Sequence, residues 1–240
     1  MNGGRPKVSV IMPVYNEERT LLEIMKRVIK VDVDKEIIAV DDGSCDSSPD
    51  ILRQLEGGDL RVYLRGENEG KASAVRYGIG KSRGEYILIQ DADLEYDPRD
   101  YPRLIKKIEI TRAGAVYGSR FEKGSKNMFF RQKAANRILT FLTNLLYSGK
   151  VGDMETCYKL IRADILREIP LREEGFDIEA ELTAKLLRRK VKIENEPIRY
   201  SGRSYEEGKK IGFSDALRAV YILFKYRFDR RGNLLAGKKI

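Results

Sequence analysis

The sequence predicts an α/β chain, with a mostly parallel sheet flanked by helices and an amphipathic helix near the C-terminus. Three observations carry that expectation. Short apolar runs alternate with stretches of helical periodicity through roughly the first 90 residues, the pattern of parallel βαβ units with right-handed crossovers. Acidic and polar residues follow directly on three of those runs, and in a parallel sheet such strand ends share one edge. At 240 residues, 42% of them hydrophobic, the chain can bury the core of one large domain. We expect that domain over residues 1–212 and a basic amphipathic helix and tail over 213–240.

Residues 7–14 (KVSVIMPV) read as a first buried strand, with Pro13 near its end, where a missing N–H is tolerated. Tyr15, Asn16 and Glu17 follow. Residues 20–30 then place Leu21, Ile24, Met25, Val28 and Ile29 at helical spacing. The second strand, 36–40 (EIIAV), ends in Asp41, Asp42, Gly43 and Ser44. Ser48 and Pro49 offer an N-cap and first helical residue for 50–55. A short strand at 60–64 precedes a helix over 71–81, which Gly78 and Gly80 should weaken.

The central strand is 86–89 (YILI), and it runs into Gln90, Asp91, Ala92, Asp93 and Glu95. Asp97 and Pro98 look like a helix cap and first helical residue. Further on, 115–118 suggests another strand with Ser119 and Arg120 just beyond it. Residues 134–147 carry a broad apolar helical face, 177–189 an ordinary amphipathic helix, and 191–200 an extended segment. Residues 213–228 (FSDALRAVYILFKYRF) mix apolar with basic side chains, as an interfacial helix or one packed on the domain would.

Composition narrows the chemistry. The chain has no histidine, and Cys45 and Cys157 lie far apart, so neither a soft-metal site nor a disulfide framework is expected. That cysteine usage fits a reducing, cytoplasmic setting. No apolar run reaches the ~18 residues needed to span a bilayer, and no signal peptide is evident. Charged residues make up 35% of the chain, a level compatible with a thermophilic source. Net charge is +9, and residues 199–240 hold eleven Lys or Arg against four Asp or Glu. Such a surplus suits nucleic acid, a phosphorylated substrate or an acidic membrane surface.

Asp91, Asp93 and Glu95 repel one another unless solvent or a cation compensates, and an all-oxygen set suits Mg²⁺ or Mn²⁺. The plainer alternative is an acidic turn capping the next helix. Glu17, Asp41 and Asp42 should lie along the same edge. There is neither a Gly-x-Gly-x-x-Gly turn nor a P-loop, so a nucleotide would be held in another way.

Four stretches then occur in order: PVYNE at 13–17, VDDGS at 40–44, NEGKASAVRYGI at 68–79 and DADLEYDP at 91–98. Together they resemble the family-two inverting glycosyltransferases of the Rossmann-like GT-A fold. The resemblance implies that Pro13, Tyr15, Glu17 and one of Asp41 and Asp42 line a nucleoside pocket. It adds Lys71, Asp91, Ala92 and Asp93 to the donor site, with Mg²⁺ or Mn²⁺ held against the donor diphosphate.

GSRF at 118–121, Arg131, DMETCYKLIRAD at 153–164 and RSYEEGKKIG at 203–212 are similar to the polyprenyl-phosphate sugar synthases, the group of the dolichyl-phosphate mannose synthases. In that group Gln stands where this chain has Glu95, which would join Asp91 and Asp93 on the metal. The likeness implies transfer of mannose from GDP-mannose to dolichyl or another polyprenyl phosphate at the cytoplasmic face of a membrane, with peripheral attachment. Arg120, Arg131, Arg203, Lys209 and Lys210 would meet the acceptor phosphate. Asp93, Arg120, Arg131 and Asp153 would form the catalytic set, Asp153 standing where relatives with hydroxyl acceptors keep a base. A phosphate monoester needs no base, because its second pKa is about 6. Three alternatives are a UDP-glucose donor, a hydroxyl acceptor, and a non-catalytic anion-binding module. The acidic edge argues against nucleic acid as the partner.

Overall fold

The computed structural model describes residues 4–121, 125–126, 130–202 and 213–229. Strands β1 (Val8–Val14), β2 (Lys35–Asp41), β3 (Leu60–Leu64) and β4 (Tyr86–Ile89) alternate with helices α1 (Leu21–Lys30), α2 (Ser48–Leu55) and α3 (Lys71–Lys81). After α4 (Tyr101–Thr111) come β5 (Ala115–Ser119), β6 (Ser125–Lys126), α5 (Phe130–Tyr147), β7 (Lys159–Arg162) and α6 (Ala163–Arg167). The described chain ends with α7 (Ile178–Arg188), β8 (Ile193–Pro197), β9 (Tyr200–Ser201) and α8 (Phe213–Phe228).

Seven strands form one sheet in the order β3-β2-β1-β4-β7-β5-β8. All pairings are parallel except those of β7, which runs antiparallel to both β4 and β5. The order reverses at β1, with β2 on one side and β4 on the other, and open α/β sheets take their ligands at such a switch point. Because β7 runs backwards, its first residues sit beside the end of β4: Leu160 pairs with Leu88. The loop before β7 therefore lies at the same edge as Asp91. That reversal was not expected from the sequence, which marks Lys159–Arg162 only as part of a motif.

Apolar periodicity explains the layers. Leu21, Ile24, Met25 and Val28 of α1 are buried, as their spacing predicted. Gly78 does more than weaken α3: a Cβ there would stand 2.5 Å from Ile11 Cγ2, so the glycine lets the helix close onto β1. Helix α2 starts at Ser48 rather than being capped by it, because the Ser48 hydroxyl accepts from the backbone N–H of Glu17 at 3.0 Å. Asp97 caps as expected, accepting from the N–H of Arg99 with Pro98 as the first helical residue.

Helix α8 packs on α5 and α7. Ala219, Ile222, Leu223 and Tyr226 are buried, the Tyr147 hydroxyl donates to Leu223 O at 2.6 Å, and Arg218 pairs with Asp177 at 2.7 Å. Its other face leaves Leu217, Tyr221, Phe224 and Phe228 exposed. Among the described residues no helix is long and apolar enough to cross a membrane.

Candidate active site

The loops after β1, β2 and β4 are tied into one wall. Asn16 adopts a left-handed backbone (φ 53°), which lets its N–H donate to Ser44 Oγ at 2.9 Å while its Oδ1 accepts from the N–H of Cys45 at 2.8 Å. The Thr20 hydroxyl lies 2.8 Å from Glu17 Oε2 and 2.9 Å from Ala92 O, joining the β1 loop to the β4 loop. Pro13 is half-buried and pairs with Val40, Tyr15 is exposed, and Ala92 is buried.

The two neighbouring aspartates after β2 have separate tasks. Asp42 accepts from the N–H groups of Gly70 and Glu69 and from Arg65 Nη1, at 2.6, 3.3 and 3.1 Å. It anchors the loop that starts α3. Asp41, 1% exposed, accepts only the N–H of Ser44 on one oxygen, and its Oδ1 is buried without a hydrogen-bond partner. An orphaned buried carboxylate oxygen is costly unless a ligand completes it. Of the two, Asp41 is the one with such an oxygen.

Asp91 is held by Lys71, whose ammonium stands 2.6 Å from Oδ1. Burial would lower the Lys71 pKa, but the Asp91 carboxylate overrides it and holds that pKa well above the usual lysine range. Lys71 also lies 3.5 Å from Glu179 Oε1. The other Glu179 oxygen pairs with Lys159, which donates as well to Thr156 O. Burial, and next the charge of Asp91, push the Cys157 thiol well above its ordinary pKa, so it is an unreactive wall of the site.

Asp93 Oδ1 accepts from the N–H of Glu95 at 2.9 Å. Neither Asp91 nor Asp93 caps a helix; that role belongs to Asp97. Glu95, expected as a third metal ligand, accepts on its Oε2 from the Tyr200 hydroxyl at 2.9 Å. Among the described residues no three acidic or sulfur side chains converge into a metal-binding cluster. Asp91, Asp93 and Glu95 supply hard oxygen donors at this edge, of the kind that suits a cation taking its remaining ligands from a diphosphate and water.

Across the crevice, Arg120 and Asp153 form a buried two-pronged pair: Nε to Oδ2 at 2.6 Å and Nη2 to Oδ1 at 2.8 Å. The N–H of Arg120 also reaches Oδ2, at 3.2 Å. The guanidinium lies 5.3 Å from the centre of the Tyr200 ring. Arg131 opens α5 with its side chain outside the described residues, and Arg203, Lys209 and Lys210 lie outside them altogether.

Sequence reading missed Lys159, Glu155 and Glu179. Lys159 is fully buried and Glu179 is 4% exposed, so α7 is not the ordinary amphipathic helix expected of it. The available signal was Lys159 inside the run CYKLI, since a buried lysine needs a carboxylate partner.

Comparison with known proteins agrees with this geometry. The family model of glycosyl transferase family 2 matches residues 9–170. An uncharacterised protein of Methanocaldococcus jannaschii is 32% identical over 199 residues, 78% of this chain and 84% of that one. The undecaprenyl-phosphate 4-deoxy-4-formamido-L-arabinose transferase of Edwardsiella ictaluri is 29% identical across 90% of this chain, which spans 66% of that relative's length. Glucosyl-3-phosphoglycerate synthase from Mycobacterium tuberculosis, solved with Mn²⁺, UDP-glucose and phosphoglyceric acid, superposes with a TM-score of 0.73 at 18% identity. That superposition covers 92% of this chain and 80% of the other, and it establishes the shared GT-A fold. The chain belongs to glycosyl transferase family 2.

Proposed function

We propose that this protein transfers a hexosyl group, with inversion, from a nucleoside diphosphate sugar to the phosphate of a polyprenyl lipid. GDP-mannose to dolichyl phosphate is the leading pair, and UDP-glucose is the alternative donor. The observation that carries the acceptor assignment is the Arg120–Asp153 pair. Asp153 already accepts three hydrogen bonds from Arg120, so it serves to hold the guanidinium and not to take a proton. A hydroxyl acceptor would require a base there, whereas a phosphate dianion requires only a cation to orient it. The undecaprenyl-phosphate transferase of Edwardsiella ictaluri supports the same choice.

On the donor side, Asp41 receives the nucleoside with its unpartnered oxygen, and Tyr15 offers it an exposed ring. Asp91 and Asp93 would hold Mg²⁺ or Mn²⁺, which when bound neutralises charge on the departing diphosphate. Lys71 fixes Asp91 and adds a positive charge beside the same phosphates. Arg120 orients the incoming lipid phosphate on the opposite face of the sugar.

The exposed apolar residues of the packed pair α5 and α8 (Ile138, Phe141 and Leu145 with Leu217, Tyr221 and Phe224) suit a bilayer surface that carries the lipid. Exposed Lys225 and Arg227 add attraction to anionic headgroups. The test is a donor screen with Mn²⁺ and polyprenyl phosphate in anionic vesicles. GDP or UDP should be released only when the lipid phosphate is present. Release that is indifferent to the lipid, or none from any nucleotide sugar, would overturn the reading.

A further inference from the structure

Four buried side-chain oxygens among the described residues have no hydrogen-bond partner: Asp41 Oδ1, Glu155 Oε1, Thr156 Oγ1 and Glu179 Oε1. Nearly all buried polar atoms in folded proteins are paired, so such atoms need a reason. Asp41 belongs to the nucleoside wall. The other three gather around Lys159, which donates to Thr156 O and to Glu179 Oε2. Thr156 is fully buried and Glu179 is 4% exposed. Glu155 is close enough to Lys159, Glu179, Arg120 and Asp153 to interact with all four charges. Glu179 Oε1 points at the ammonium of Lys71, 3.5 Å away, and that ammonium holds Asp91. Glu179 Oε1 thus adjoins the Lys71–Asp91 side, and Glu155 feels the charges of the Arg120–Asp153 side, between which the sugar would sit if the donor and acceptor are placed as proposed above.

The chemistry of the three atoms selects among occupants. A second divalent cation does not fit, since the ammonium groups of Lys71 and Lys159 already stand against Glu179. An anion would meet the carboxyl groups of Glu155 and Glu179, while the ammonium groups of Lys159 and Lys71 are already engaged with Glu179 and Asp91. A ring carrying several hydroxyl groups supplies O–H donors to Glu155 and Glu179 and both donates to and accepts from Thr156. We infer that Glu155, Thr156 and Glu179 form the subsite that reads the donor sugar, selecting a hydroxyl-bearing hexose and rejecting a sugar with a carboxylate on that side. The inference rests on the glycosyl-transfer reading and assigns its sugar specificity to residues of the β7 loop and α7.

Calorimetry on the full chain with Mn²⁺ tests it, using UDP, UDP-glucose, UDP-glucuronate, GDP and GDP-mannose. Glu155→Ala should weaken the nucleotide sugars by roughly 10-fold, the worth of a buried hydrogen bond, and leave UDP and GDP within about twofold. Glu155→Gln should recover part of the loss and narrow the preference for UDP-glucose over UDP-glucuronate. Thr156→Val, which removes no charge, should weaken the sugars in the same direction and guards against a misfolded Ala variant. If every variant leaves the ratio of sugar-nucleotide to nucleotide affinity unchanged, or weakens both alike, the subsite is wrong while the transferase reading stands. If the unaltered protein binds neither UDP nor GDP, the transferase reading falls and the subsite falls with it.

Discussion

The two walls of the crevice satisfy their acids by different means. On the β1–β4 wall, carboxylates are met largely by backbone N–H groups: Asp41 by Ser44, Asp42 by Glu69 and Gly70, and Asp93 by Glu95. On the β5–α7 wall they are met by buried cations, Asp153 by Arg120 and Glu179 by Lys159. On the first wall Asp41 keeps an oxygen with no hydrogen-bond partner. Full ion pairs leave the second wall nearly neutral, with a guanidinium that an arriving phosphate can share. Lys71 joins the two, touching Asp91 on one side and Glu179 on the other. In the proposed transfer, one wall would take up charge from the leaving group and the other would present the anion.

The largest expected effect comes from breaking the first wall. Asp91→Ala should lower turnover by about 10³-fold or more, since both the cation and the Lys71 contact act on the departing diphosphate. Its fold should survive, because Lys71 keeps Glu179 as a partner. Circular dichroism and nucleoside diphosphate release measured side by side check both halves. A variant within tenfold of normal turnover would show that the β1–β4 wall is not where the leaving group resides.

A stability comparison separates the walls more finely. Asp153→Ala removes the carboxylate paired with the buried Arg120 guanidinium, 7% exposed, and should cost about 3–5 kcal/mol. Asp42→Ala should cost less, about 1–3 kcal/mol, because it strands backbone N–H groups and one partly accessible arginine, Arg65. Urea midpoints give the two values directly. Adding Arg120→Met to Asp153→Ala should return much of the larger loss, as replacing a whole buried pair usually does. Equal costs for the two single variants would erase the distinction between dipole-held and ion-paired acids.

The same contrast explains what the sequence could reveal. The helix Lys71–Lys81, the strand Leu60–Leu64 and the helix Phe213–Phe228 match their expected bounds, because each is written in local periodicity. The first wall was legible too, since each of its acids closes its own strand or follows within four residues of its end. The choice between Asp41 and Asp42 was not, for it depends on a loop 23 to 28 residues away that returns to Asp42. The second wall was least legible. Lys159 finds Glu179 across 20 positions and from an element of another type, so no spacing marks the pair. Glu95 stands out in the DADLE string, but its bond to Tyr200, 105 residues on, is not written there.

The smallest effect sharpens the second wall at its one acid without a cation bonded to it. Burial pushes the Glu155 carboxyl from 4.5 up to about 7; Lys159 and Arg120 draw it down, and Glu179 and Asp153 add to the rise. The folded protein therefore holds a proton on Glu155 that the unfolded chain has released once the pH passes 4.5. Stability from this group is fully present below pH 4.5 and is lost as the pH climbs through about 7, after which both states are ionised and the deficit is constant. The expected size is about 1–3 kcal/mol between pH 4.5 and pH 8. Glu155→Gln cannot ionise, so its advantage in Tm over the unaltered protein should be larger at pH 8 than at pH 5. Parallel Tm profiles for the two proteins would mean that the carboxylate is solvated when charged, and that this wall is as open there as the wall opposite.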